Sequence, residues 1–268
     1  MMKIGFIGTG NMGGALARAA AKSVAAGNLL LSDAYAPVAE KLAEELGCKA
    51  VPVLEVAKTA NVIFLGVKPQ VIGAMLSEIA PVLAGRQDFV LVSMAAGVAI
   101  CDIQKMAGGD YPIIRIMPNL PVQVGEGMIL YDYINNVTEE QLQAFLTAMS
   151  QAGKLDRLPE KLIDAGSALS GCGPAFVCLF AEALADGAVA CGLTRAQALA
   201  YAEQTLLGTA KTLLEKNMHP GVLKDAVCSP GGSTIAGVAA LEQGAFRASV
   251  MEGVAAAFQR TRELGKKP

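Results

Sequence analysis

The chain has 268 residues, 53% hydrophobic and 17% charged, with 22 Lys and Arg against 24 Asp and Glu and a formal net charge of −2. The length predicts about two domains, and the near-balanced charge excludes a general basic surface for nucleic acid. So high an apolar fraction predicts large interfaces as well as a core.

A short apolar strand, Lys3 to Ile7, runs into Gly8-Thr9-Gly10-Asn11-Met12-Gly13 and then into a helix-forming stretch from Gly14 to Ala20. Strand, glycine turn and helix in this order make a dinucleotide-binding crossover. Gly8 allows the tight turn, Gly10 lets the backbone approach a pyrophosphate, and Gly13 lets helix and strand pack closely. The helix N-terminus offers N–H groups and a positive dipole end to phosphates. A strand beginning at residue 3 predicts a fold that opens on its cofactor site with no leader. A second strand, Asn28 to Leu31, ends in Ser32-Asp33. Asp33 lies twenty residues after Gly13, where an acidic residue binds the adenosine ribose hydroxyls; its alternative role is to cap the next helix.

Further strands at Asn61–Gly66, Phe89–Ser93 and Ile113–Met117, with helical stretches between them, predict a doubly wound parallel sheet. The carboxyl ends of such strands face the ligand crevice. Lys68, in Val67-Lys68-Pro69-Gln70, is there to contact a cofactor ribose or phosphate, or is a surface lysine before a turn proline. Ser93-Met94-Ala95-Ala96-Gly97 offers small side chains against which a flat nicotinamide can lie, or is a plain strand-to-helix turn. Asn119 is placed to hydrogen-bond a carboxamide or to support the crevice, or is a turn residue. Thr138-Glu139-Glu140-Gln141 predicts a capped helix reaching about Ala152.

After Pro159 the strands stop. Helices are expected from about 160 to 264, broken at Gly171–Pro174, Cys191-Gly192, His219–Gly221 and Ser229–Gly232. The domains are therefore read as 1–158 and 159–268, packed directly together because no Ser- or Pro-rich linker separates them. The long helix expected over Arg195–Asn217 is apolar on both faces, which predicts a shared helical dimer core. The most membrane-like stretch, Ala175 to Leu193, carries Glu182 and Asp186 on one face and is read as a buried or interface helix, not a span. The six cysteines, Cys48, Cys101, Cys172, Cys178, Cys191 and Cys228, have no CxxC spacing, and His219 is the only histidine. No metal site is expected, and the cysteines are read as reduced, buried residues of a cytoplasmic protein. Ser229-Pro230-Gly231-Gly232-Ser233-Thr234 precedes a helix expected over Ile235–Gln243. Two glycines and hydroxyls at a helix start make a concave donor set for a carboxylate or phosphate, or an ordinary capped turn.

Together these blocks resemble the pyrroline-5-carboxylate reductase family over nearly the whole chain: Gly8–Gly13, Val67–Pro69, Ser93–Gly97, Arg115–Pro121, Ala168–Phe176 and Ser229–Thr234. The resemblance implies an α/β fold, an N-terminal Rossmann doubly wound parallel sheet with an all-helical C-terminal dimerisation domain, and an active site shared between subunits. It implies NADPH or NADH as cofactor, held by Gly8, Thr9, Gly10, Asn11, Met12, Gly13, Val67, Lys68, Pro69, Met94, Ala95 and Ala96. Asp33 and Asn119 join that set from their positions after strands. The substrate carboxylate falls to Ser229, Gly231, Gly232, Ser233 and Thr234, with Thr234 also acting at the ring nitrogen, and Glu160 lies near the site. Cys172 stands for the usual serine and Ser233 for a common threonine. Asp33 replaces a small or basic residue, which bears on cofactor choice.

The implied reaction is hydride transfer to 1-pyrroline-5-carboxylate, giving L-proline at the last step of proline biosynthesis, in a cytoplasmic homodimer or a multiple of dimers with no membrane or nucleic-acid partner. A hydroxyacid dehydrogenase of similar plan needs a His or Lys to exchange a proton with oxygen. His219 sits beside a turn proline and Lys68 in a cofactor motif. A protonated imine needs hydride alone, so the missing acid favours the imine. A non-catalytic dinucleotide sensor would leave Ser229–Thr234 idle.

Overall fold

The computed structural model describes residues 2–265. Tertiary contacts divide the chain into two compact units, Met1–Cys172 with Ala257–Pro268, and Gly173–Ala256.

The first unit is built on β1 (Ile4–Ile7), β2 (Leu29–Ser32), β3 (Lys49–Ala50), β4 (Val62–Leu65), β5 (Val90–Ser93), β6 (Ile113–Met117), β7 (Gly127–Tyr133) and β8 (Gly153–Arg157). They form one sheet in the order β3-β2-β1-β4-β5-β6-β7-β8, and every pair is parallel except β6–β7. The helices α1 (Asn11–Ala20), α2 (Ala36–Leu46), α3 (Val53–Thr59), α4 (Pro69–Leu83), α5 (Ile100–Ala107), α6 (Glu139–Met149) and α7 (Glu160–Ser170) follow or connect the strands.

The central strands are apolar throughout because both faces are covered. Their side chains alternate between two cores. Phe6, Phe64 and Val92 meet Leu16 of α1 and Phe145 of α6, with the Phe6 and Phe64 rings stacked at 4.5 Å. Ile63, Leu65 and Leu91 meet Val56 of α3, Leu76 of α4 and Ile103 of α5. Each fully buried Phe or Leu contributes roughly 1.5–3 kcal/mol. In register, Ile7 lies beside both Ser32 and Leu65, and Leu65 beside Ser93. The turns after β1, β2, β4 and β5 therefore leave one edge of the sheet together, around the point where strand order reverses between β1 and β4.

All five strands expected in the sequence form, within a residue or two at each end. Three further strands carry no comparable signal. β3 is two residues long, β8 reads Gly-Lys-Leu-Asp-Arg with Leu155 as its one large apolar residue, and β7 opens on Gly127 and carries Asp132. The helix capped at Thr138 ends at Met149, with Thr138 and Gln141 forming a full capping box.

The second unit is helical: α8 (Gly173–Ala190), α9 (Arg195–Lys216), α10 (Pro220–Ala226), α11 (Ser233–Gln243) and most of α12 (Phe246–Gly265). Thr194 and Gln197 box the start of α9, and Asn217 ends it at φ 45°. These helices bury little within their own chain: Ala185 alone on α8, Ala198 and Ala202 on α9, and nothing on α11. Leu179, Leu207, Leu214 and Met251 are each at least 60% exposed, the pattern of helices that complete their core with another surface. Among the described residues one stretch, Glu160–Ala190, is long and apolar enough to cross a membrane by length and composition, and 11% of its apolar window is buried within the chain.

The cysteines depart from expectation. They are free, but Cys101, Cys178 and Cys191 are exposed and Cys48, Cys172 and Cys228 only half-buried. An apolar neighbourhood in the sequence implied an inward-facing position, whereas α8 turns its apolar residues out of its own chain.

Candidate active site

The glycine turn is set by two backbone contacts. Gly8 has φ 91°, a left-handed conformation that favours glycine, and a Cβ there would lie 2.7 Å from the Gly66 backbone. Gly13 is held closer still: its Cβ would fall 2.0 Å from the Gly8 carbonyl oxygen. The first turn of α1 thus sits directly on the end of β1. Gly10, the N-cap of α1, differs. Nothing lies within 4 Å of where its Cβ would be, and it provides no side-chain cap. The first N–H groups of α1 lie beside this open space, at the positive end of the helix. A pyrophosphate fits this arrangement, and a side chain at position 10 would occupy its place.

Asp33 ties the turn to β2. Its Oδ2 accepts from the Thr9 N–H at 2.7 Å and from the Thr9 hydroxyl at 3.2 Å, and its Oδ1 accepts from the Tyr35 N–H at 3.1 Å. α2 begins at Ala36 with Tyr35 as N-cap, so Asp33 precedes the cap position. A cleft of about 700 Å³ runs past Gly8, Asp33, Val67 and Val71. On the flank lined by Thr9 and Tyr35, Arg18 is bound through two 2.7 Å contacts to Glu45, whose carboxyl these hydrogen bonds hold below the ordinary carboxylate range.

Lys68 is the exposed N-cap of α4, with Pro69 at the first helical position and Val67 half-buried before it. After β5, Ser93 is buried, Ala95 is buried and donates its N–H to the Ser93 hydroxyl, and Ala96 is exposed. Met94 packs on the same core as Met12, which places the β5 turn and the start of α1 on one side of the sheet. Asn119 is inside the fold. Its amide donates to the Ser170 carbonyl at 3.0 Å and accepts from the Met128 N–H at 2.8 Å, joining the end of β6 to α7 and β7.

Glu160 lies at the start of α7 and is half-buried. Its carboxylate accepts from the Ile100 N–H at 2.8 Å and pairs with Arg115 at 3.3 Å. Arg115 on β6 is 4% exposed, and Asp164 holds its other terminus at 2.8 Å. Asp132, directly across from Arg115 on β7, accepts from the Glu160 N–H at 2.7 Å. The only sequence signal for this cluster is a lone arginine inside the apolar strand Ile113–Met117; a buried guanidinium requires carboxylate partners.

In the second unit, Ser229 to Thr234 form a turn in which the Gly232 N–H reaches the Ser229 carbonyl at 3.0 Å and Gly231 takes φ 67°. α11 starts at Ser233, two residues earlier than expected, with Gly232 as N-cap and no side-chain cap. The first backbone bond of this helix runs from the Ala236 N–H to the Gly232 carbonyl at 3.3 Å, with the N–H groups of Ser233, Thr234 and Ile235 ahead of it. The hydroxyls of Ser229, Ser233 and Thr234 are on exposed residues around these donors. His219 is the N-cap of α10 and accepts from the Gly221 N–H, a turn role.

A glycine turn with an open helix start at the reversal point of a parallel sheet defines a Rossmann-type dinucleotide-dependent oxidoreductase. Residues 160–264 match the family described as pyrroline-5-carboxylate reductase dimerisation, and residues 3–97 match NADP oxidoreductase, coenzyme F420-dependent. The chain is 41% identical to pyrroline-5-carboxylate reductase of Arabidopsis thaliana, covering 98% of this chain and 96% of that one. It is 40% identical to the Escherichia coli K12 pyrroline-5-carboxylate reductase, covering 98% of each. A crystal structure of pyrroline carboxylate reductase from Plasmodium falciparum with NADP bound superposes with a TM-score of 0.87 at 31% identity, covering 99% of this chain and 98% of that one. The chain belongs to the pyrroline-5-carboxylate reductase family.

The two glycines of the turn give opposite expectations. Gly10→Val should weaken NADH binding by at least about a hundredfold while leaving the melting temperature unchanged, because its side chain enters only the pyrophosphate space. Gly13→Ala should cost roughly 1–3 kcal/mol or more of stability, because its methyl meets backbone. Cofactor titration and urea unfolding of both variants check this; undiminished binding by Gly10→Val would remove the turn as the cofactor site.

Proposed function

We propose that the chain reduces 1-pyrroline-5-carboxylate to L-proline with NADPH or NADH, the last step of proline biosynthesis. The observation that carries this is the presence on one chain of two uncapped, glycine-led helix starts, at Gly10 and at Gly232, each suited to an anion. The first suits a cofactor pyrophosphate and the second a substrate carboxylate.

When bound, the reduced nicotinamide supplies a hydride, and the electrophile is C5 of the cyclic imine. The chain's own residues bind and orient. Gly8 to Gly13 hold the pyrophosphate, Val67, Lys68 and Pro69 flank the ribose and phosphates, and Met94, Ala95 and Ala96 give the flat ring a low surface. Ser229, Gly231, Gly232 and Ser233 hold the carboxylate. Thr234 directs its hydroxyl at the ring nitrogen; if the imine arrives protonated, this group orients it and need not supply a proton. Asn119 braces the crevice from inside the fold, through Ser170 and Met128.

Asp33 carries a negative charge at the ribose end of the cleft, where it would accept from a free ribose diol and repel a 2′-phosphate. NADH should therefore be used at least as well as NADPH. The protein is read as a cytoplasmic enzyme acting on a small molecule, without nucleic-acid or membrane partners.

Cofactor oxidation followed at 340 nm should require added 1-pyrroline-5-carboxylate. Thr234→Ala should lose about 1.5–3 kcal/mol in kcat/KM, on the order of ten- to a hundredfold, with NADH affinity unchanged. Gly232→Val should lose more, since its side chain collides with Ser229 and obstructs the donor set. Oxidation independent of the imine, or full activity in both variants, would overturn the assignment.

The exposed apolar residues of α8, α9 and α12 are read as the faces of a homodimer, or of a multiple of dimers. Light scattering should give at least twice the 27.6 kDa chain mass down to low micromolar concentration. A stable, active monomer would contradict this.

A further inference from the structure

Several helices of the first unit begin without a side-chain cap, α5 and α7 among them. α5 follows Ala99 and α7 follows Pro159, and neither N-cap supplies a side-chain acceptor. In both cases a carboxylate from another element substitutes. The Glu160 side chain accepts the first N–H of α5, at Ile100, and the Asp132 side chain accepts the first N–H of α7, at Glu160 itself. Each carboxylate meets the positive end of a helix dipole, which strengthens the hydrogen bond. The arrangement is fixed at its centre by Arg115, which is buried on β6 and bridges Glu160 and Asp164 on successive turns of α7. Arg157 reinforces Asp132 at 3.4 Å and lies over the Tyr133 ring.

The segment that Glu160 anchors is the turn after β5. It leaves the sheet at Ser93, whose hydroxyl accepts from Ala95, passes through Gly97 at φ 72°, and enters α5 at Ile100. One end of this turn is therefore fixed by the strand and the other by the Glu160 carboxylate. Between them are Met94, Ala95 and Ala96, the residues assigned above to the nicotinamide face.

We propose that Glu160 is a positioning residue: from α7 it caps α5 and so sets the height and angle of the Met94–Ala96 surface against the nicotinamide, with Arg115 holding its carboxylate in place. This role rests on the functional assignment above. Ile100 and Arg115 both meet the Oε1 atom of Glu160, and all three residues lie in the unit that also carries the turn. Hydride transfer depends steeply on the approach of donor and acceptor carbons, so a small tilt of the ring lowers kcat without loosening the adenosine half of the cofactor.

The test uses the full-length enzyme with Glu160→Ala and Glu160→Gln. Glutamine keeps the oxygen that accepts from Ile100; alanine does not. Glu160→Ala should lower kcat about ten- to a hundredfold, with the KM for 1-pyrroline-5-carboxylate and the Kd for ADP-ribose, which lacks the nicotinamide, both within about twofold of wild type. Glu160→Gln should recover kcat to within about threefold of wild type. A kcat for Glu160→Ala within twofold of wild type, after correction for folded fraction, would overturn the role. So would a raised KM for the imine in both variants, which marks a substrate ligand. A wild-type enzyme that does not oxidise cofactor with the imine would instead overturn the functional assignment, and this role with it.

Discussion

The contact on which the rest of the site depends is the approach of Gly13 to the Gly8 carbonyl, too close for any Cβ. It seats α1 on the end of β1 and directs the open start of that helix, at Gly10, across the edge of the sheet. Thr9, between them, is then in place to give both its N–H and its hydroxyl to Asp33 at the end of β2. A turn with longer side chains would lift the helix away from the strand and separate Thr9 from Asp33. The geometry of this edge is therefore fixed by what is missing, two side chains, more than by any added interaction.

A helix start without its own cap recurs through the molecule, and four of these starts form two contrasting pairs. At Gly10 and Gly232 the N-cap glycine leaves the first N–H groups open, and these are the positions assigned to the pyrophosphate and the carboxylate. At Ala99 and Pro159 the same deficit is met inside the fold, by Glu160 and Asp132. The difference is local and physical. At Gly10 the missing side chain leaves room for a ligand to approach, whereas Ile100 and Glu160 give their N–H groups to carboxylates of the same chain. The buried Arg115 is consistent with this division. Breaking one of its pairs would leave a poorly solvated charge, so the guanidinium, Glu160 and Asp164 act as one unit.

The readable parts of the sequence were those whose causes are local. Gly8, Gly10 and Gly13 act through backbone geometry within six consecutive residues, and Thr138 and Gln141 cap their own helix. The central strands announce themselves because both faces are apolar. What escaped depends on partners distant in sequence. Arg115 and Glu160 are 45 positions apart, and Asp132 and Glu160 are 28, so no spacing rule joins them. β8 has no pattern of its own and exists by pairing with β7. The cysteines were misread because an apolar helix was assumed to face inward, while α8 buries only Ala185 within its chain. The sequence left Asn119 open as a carboxamide ligand, a support of the crevice or a turn residue, and its bonds to Ser170 and Met128 were not legible.

The central claim is that a hydride moves from the nicotinamide of a cofactor, whose pyrophosphate we assign to the glycine turn, to C5 of an imine whose carboxylate we assign to the start of α11. The most direct measurement is isotopic. The wild-type enzyme is supplied with NADH deuterated at the transferable C4 position and with unlabelled 1-pyrroline-5-carboxylate, and the product is examined by mass spectrometry and proton NMR. L-Proline carrying a single deuterium, located at C5, is the expected result. Cofactor consumed without proline, or proline formed without deuterium at C5, would contradict the account.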